Sequence, residues 1–152
     1  ILALSSILLF SQQNYLYIGD KKYPATSDWD FFCQSCDEGG WGTGNNVNVS
    51  VAKATSGGYL KLSLPAQGGS MDISGVAMIY LEDGTAIKCS DKGMTDNVDG
   101  QSIAIYVFTI QEIAKLKISN IKKIRFNTNM GGFTAENKNS NQTAEEIKAL
   151  YK

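Results

Sequence analysis

Two runs of strict alternation, NVNVSVAK at 46–53 and YLKLSLP at 59–65, restrict the fold of this chain more than anything else in it. Val47, Val49 and Val51 share one face of an extended segment, with Asn46, Asn48 and Ser50 on the other. Leu60, Leu62 and Leu64 likewise oppose Tyr59, Lys61 and Ser63. A period of two is what a half-buried strand needs, because successive side chains point to opposite sides of the sheet. The ATSGG link between the runs suits a hairpin.

The same reading extends along the chain. NYLYIGDKKYPAT (14–26) is a hairpin turning at Gly19-Asp20, its second strand confined to an edge by Pro24. WDFFC (29–33) is a further strand. VAMIYL (76–81), apolar on both faces, reads as a central strand; Asp83-Gly84 turns it back into TAIKCS (85–90), since both positions tolerate positive φ. SIAIYVF (102–108) and IKKIRFNT (121–128) complete the set, the latter with Ile124 and Phe126 inward. Thr109 and Glu112 form a capping box that opens a short helix lined by Ile110, Ile113, Ala114 and Leu116. Thr143 and Glu146 form a second box, starting a terminal helix that docks Ile147, Leu150 and Tyr151 on the sheet. Residues 90–100 and 129–142 are polar and read as loops, the second a mobile one. The expected fold is mainly β: an antiparallel β-sandwich-like arrangement or open barrel of about eight strands, with one short internal helix and a C-terminal helix.

With 152 residues, 43% of them hydrophobic and 19% charged, the chain is globular and has material for one core. Residues 1–11, opening ILALSSILLF, read as the remnant of a signal peptide, and 12–152 as a single β-rich domain. The expected location is therefore secreted or periplasmic, with no membrane span in the mature chain. A net charge of −1 gives no general pull toward nucleic acid or anionic lipid. There is no histidine. The commonest metal ligand and the commonest general base are thus missing, and with them every Ser-His or Cys-His arrangement.

The most decorated stretch is CQSCDEGGWGTG, 33–44. Zinc would need Cys33, Cys36 and Cys89 plus a carboxylate such as Asp37, an uncommon set, and the second CxxC is missing. A redox pair needs a helix after its first cysteine, and a phosphate loop must open one; neither DEGGWGTG nor the following strand supplies it. The cysteines read instead as disulfide candidates. A straight strand through 33–36 would hold the Cα atoms about 10 Å apart, so a Cys33–Cys36 bond demands a tight turn at Gln34-Ser35. A link from either to Cys89 is sterically easier, and one thiol is left over in both cases. Trp41 either plugs an end of the sandwich or stands out as a ligand-stacking ring.

Asp91, Asp96 and Asp99 offer a weak calcium site, against which the EF-hand spacing fails; no other cofactor is expected. Lys115, Lys117, Lys122, Lys123 and Arg125 make a basic run, but no aromatic residues interleave for base stacking, so nucleic acid is not an expected partner. Lys122 lies on the face of Ile124, while Lys123 and Arg125 fall on the opposite, solvent face.

The succession GVAMIYLEDGTAIKCSDKG, then SIAIYVFTIQEIAKLKISNIKKIRF, resembles small uncharacterised secreted β-rich proteins of Bacteroidetes-type bacteria over about residues 15–128. That resemblance implies export and a β-sandwich-like fold, and carries no site residue with it. The functional expectation is a non-catalytic extracytoplasmic module that binds a glycan or a protein, with Trp41, Tyr59 and Trp29 as a speculative ligand platform. An envelope structural protein is the second reading. A hydrolase is the third, requiring two converging acids about 5–10 Å apart.

Overall fold

The computed structural model describes residues 12–37, 46–65, 72–98 and 100–152. Along them run β1 (Asn14–Ile18), β2 (Lys21–Ala25), β3 (Trp29–Phe32), a 3₁₀ turn (Gln34–Asp37), β4 (Asn46–Lys53) and β5 (Gly58–Pro65). There follow β6 (Ile73–Leu81), β7 (Ala86–Cys89), β8 (Asp91–Val98), β9 (Gln101–Phe108), α1 (Ile110–Leu116), β10 (Ile121–Thr128), β11 (Gly131–Glu136) and α2 (Thr143–Leu150). The strands pair in the order β7-β6-β10-β11-β3-β4-β5-β9-β8, each pairing antiparallel, and β2 adds to β4 at Ala25–Ala52. The sheet curls until its far strands return toward its first. Ser102 of β9 accepts the Ile73 N–H of β6 at 3.4 Å, and the result is an open barrel.

The alternating runs behave as their pattern dictates. Val49 pairs with Leu62 and Val51 with Leu60, and the whole valine–leucine set is buried inside the barrel. Ile79, Tyr106, Phe108, Ile124 and Phe126 pack with them in the same core. SIAIYVF is apolar on both faces because both are covered. Ala104 and Tyr106 face the interior, while Ile103 and Ile105 join Leu16, Ala25, Ala52, Tyr23 and Tyr59 in a second cluster. The β1–β2 hairpin is thus folded over the outside of β4, β5 and β9. Thr26 holds it there: its N–H donates to the Val51 carbonyl at 2.9 Å, and its Oγ1 accepts the Val51 N–H at 3.1 Å.

Several expectations need correction. Residues 91–98 and 131–136 are strands, not loops, which raises the number to eleven among the described residues. Their own propensity is poor, but the open edges of β9 and β10 are satisfied by pairing with them, and tertiary context overrides local preference. The supposed mobile stretch is also pinned beyond β11. Asn137 donates its side-chain amide to the carbonyls of Ile121 and Asn141, and its Oδ1 accepts the Asn141 N–H.

The first capping box is present: Thr109 Oγ1 accepts the Glu112 N–H at 3.1 Å and Glu112 Oε1 accepts the Thr109 N–H at 2.8 Å. Only Ile113 and Leu116 of α1 reach the core, however; Ile110 and Ala114 point outward. The second box does not form. Gln142 holds the N-cap position with no side-chain cap bond. Thr143 Oγ1 instead accepts the Ile121 N–H at 2.8 Å, and the Glu146 carboxylate accepts from Ser27 Oγ and Trp29 Nε1. Partly buried donors elsewhere in the sheet claim both side chains, because leaving such donors unpaired would cost more than an uncapped exposed turn. Ile147 buries in the core, and Tyr151 donates its hydroxyl to the Gly57 carbonyl at 2.6 Å.

Gly57 has φ +86°, and a Cβ there would lie 2.1 Å from the Phe108 carbonyl oxygen. Gly57→Ala should cost about 3 kcal/mol or more in urea unfolding, whereas Gly84→Ala, at φ +91° in open space, should cost about 1 kcal/mol. A second expectation concerns alkali. Burial pushes the Tyr151 hydroxyl from its ordinary value near 10 up to about 12. Burial, and secondarily the charge of Glu112, pushes the Cys89 thiol from near 9 up to about 12. Both groups are held protonated by the fold. Their contribution is therefore complete below pH 9 and is lost as pH rises from there through about 12. Unfolding followed by circular dichroism should show a loss of stability in that window, smaller in Tyr151→Phe.

Candidate functional site

The cleft of interest lies where the sheet is least complete. β3 matches β4 over its whole length, from Trp29–Val49 to Phe32–Asn46, yet meets β11 at one pair, Phe32–Glu136. After Phe32 the chain leaves the sheet. The Cys36 N–H donates to the Cys33 carbonyl at 3.3 Å, and the 3₁₀ turn brings the two Cα atoms to 5.4 Å. That closes a Cys33–Cys36 disulfide. The tight turn at Gln34-Ser35 is therefore made, and Cys89 is the leftover thiol, buried at the end of β7 and bonded to neither of the others.

Because both bridged cysteines point into the core, the intervening Gln34 and Ser35 are thrown outward. Across from them β11 presents Thr134 and Glu136, alternating with inward Ala135. Phe32, Gln34, Ser35, Thr134, Glu136 and Lys138 enclose a cleft of about 490 Å³ on the outer face of the barrel. Lys138 Nζ lies 2.9 Å from the Glu136 carboxylate. The hydrogen bond and charge of Lys138 hold that carboxyl below the usual range, with smaller contributions from Lys123 and Lys122. Glu136 is thus an acceptor fixed in its ionised form, a poor proton donor near neutrality. Among the described lining residues it is the single carboxylate. No three His, Cys, Asp or Glu side chains converge on a metal position among the described residues.

The residues singled out from sequence are scattered. Trp29 is a core residue, 3% exposed, and its indole N–H is spent on Glu146. It offers no face to a ligand, since a strand residue paired to Val49 on the inner side of the barrel must point inward. Tyr59 is half-buried, edge-on to Tyr23 at 5.0 Å beneath the hairpin. Trp41 lies outside the described residues. Asp91 and Asp96 stand on β8 in register with Tyr106 and Ile103, on a strand where a wrapping loop was expected; Asp99 lies outside the described residues. Lys122 is exposed, not beside Ile124, because a bulge interrupts the β10–β6 register between Ile121 and Lys123.

What sequence reading missed was β11. Its one local sign is the parity of Phe133 and Ala135 against Thr134 and Glu136, too short beside two glycines to stand out. Among the described residues no helix is long and apolar enough to cross a membrane.

Alkylation of the denatured, unreduced chain should label one thiol, Cys89, and reduction should raise that to three. In the native state Cys89 should stay unlabelled at pH 8, its thiol being buried and protonated. Labelling of Cys33 or Cys36 without reduction would contradict the bridge. Compared with family models, curated proteins and solved structures, the chain matches none of them.

Proposed function

We propose that this chain is a non-catalytic extracytoplasmic binding module that holds a glycan in the cleft beside the Cys33–Cys36 turn. The observation that carries this reading is the make-up of the cleft. A sugar presents hydroxyls that both give and take hydrogen bonds, and an apolar C–H face. The Gln34 amide, the Ser35 and Thr134 hydroxyls, the Glu136 carboxylate and the Lys138 ammonium supply both polarities, and the half-buried Phe32 ring supplies the apolar contact. A volume of about 490 Å³ falls within the usual range for small-ligand sites. The disulfide fixes Gln34 and Ser35 before any ligand arrives, which lowers the ordering cost of binding. A bridge of this kind, together with the apolar leader read at residues 1–11, supports an oxidising, exported setting.

The second reading, an envelope structural protein, draws on the outward face of the β1–β2 hairpin. Tyr15 and Tyr17 are exposed there, and Lys22 lies 4.5 Å from the Tyr15 ring centre.

Calorimetric titration of the secreted chain against a panel of neutral and acidic oligosaccharides tests the first reading. Gln34→Ala and Thr134→Ala should each weaken binding about 3- to 10-fold, the worth of a lost hydrogen bond. Tyr15→Ala, on the hairpin, should leave it unchanged. Absence of binding across the panel, or binding indifferent to Gln34 and Thr134, would refute the assignment.

A further inference from the structure

We infer that the glycan held in this cleft is anionic, and that its chain continues out of the cleft over β10, β6 and β7; this rests on the glycan reading above. Two adjacent rows of outward-facing residues cross these strands. One runs Phe32–Glu136–Lys123–Tyr80–Ala86, the other Thr134–Arg125–Met78–Lys88. They face outward because their neighbours along the strands, Ala135, Ile124, Ile79 and Ile87, are buried in the core. Each row starts at a residue lining the cleft and carries cations away from it.

The charges on this face do not cancel. Glu136 is matched by Lys138 at 2.9 Å. Lys88, Lys123 and Arg125 have no ion-pair partner among the described residues, and Lys122 stands exposed at the bulge close enough to lower the Glu136 carboxyl. Lys123 lies over the Tyr80 ring at 5.2 Å, which positions its ammonium on the row. The nearby acids Asp30 on β3 and Glu82 past the end of β6 lie outside both rows. Strands are about 4.8 Å apart, so Arg125 and Lys88, two strands apart, are roughly 10 Å from each other. An extended polymer bearing repeated carboxylates or sulfates could engage them in succession from one end seated in the cleft.

The surface fits a carbohydrate better than a nucleic acid. The fixed carboxylate of Glu136 accepts hydrogen bonds and cannot donate them. A sugar brings hydroxyl donors to that position, whereas a phosphodiester brings only negative charge. Phe32 and Tyr80 are the rings in the two rows, too few to stack successive bases.

Matched probes separate the possibilities in calorimetry at low and high ionic strength. They are oligogalacturonate and its methyl ester, sulfated dextran oligomer and plain dextran oligomer, and single-stranded DNA of similar charge. One acidic probe should bind at least tenfold more tightly than its uncharged counterpart, carboxylate or sulfate being told apart by which pair responds. Arg125→Gln and Lys88→Gln, both outside the cleft, should each weaken that binding about threefold and flatten its salt dependence. Gln34→Ala should weaken binding of charged and uncharged forms alike. Equal affinity for an acidic probe and its uncharged partner, weakened by Gln34→Ala, would overturn the inference and leave the glycan module standing. No binding by any probe would overturn the inference, and extended to the wider neutral panel would take the module reading with it. DNA binding as tightly as the acidic sugars would overturn the carbohydrate assignment.

Discussion

The fold depends on the register between β4 and β5. Six inward side chains, Val47, Val49, Val51, Leu60, Leu62 and Leu64, are buried there. At about 1.5–3 kcal/mol for each fully buried side chain, they represent roughly as much free energy as the entire net stability of a typical domain. A slip of one residue would turn one set of three outward and bury Asn46, Asn48 and Ser50, or Tyr59, Lys61 and Ser63, in its place. The pairing therefore has one acceptable alignment. From it β3 is built on one side and β9 on the other, and the 3₁₀ turn that carries the cleft leaves β3 at a point fixed by Phe32 facing Asn46.

The strands that could be read from sequence are those whose pattern is local and long. β4, β5, β6, β9 and β10 are eight or nine residues long and each contains a run of alternating or continuous apolarity, and the Thr109–Glu112 cap is stated within four residues. β8 and β11 were illegible for the opposite reason. DKGMTDNV and GGFTAE hold little apolar material, and are strands because β9 and β10 have edges to fill. The Thr143–Glu146 pair shows the same limit from another side. Its residues satisfy the capping rule, but Ile121, Ser27 and Trp29, distant in sequence, compete for the same oxygens and win.

The candidate site suffered most from this. Its one legible component was the CQSC turn, where the geometric condition for a bridge could be written down in advance but not whether the chain met it. The opposing wall lies on β11 and could not be placed without the pairing to β10. Trp29, conspicuous in sequence, belongs to the core, while Gln34, Thr134 and Lys138, inconspicuous, meet in space. Polar residues acquire meaning only from what they face, and that information is long-range.

The single Phe32–Glu136 pair between β3 and β11 makes the sheet a book with a nearly cut spine. One page is β7-β6-β10-β11 and the other β3-β4-β5-β9-β8. α2 clasps them at one end, bonded to Ile121 and Asn120 on the first page and to Ser27, Trp29 and Gly57 on the second. The cleft sits across the spine, with Phe32, Gln34 and Ser35 belonging to one page and Thr134, Glu136 and Lys138 to the other. A ligand held there by both walls would bridge the pages, and at a hundred times its dissociation constant would add about 2.7 kcal/mol to the folded form. In such a barrel, anything that filled the cleft would act as a rivet as much as a ligand.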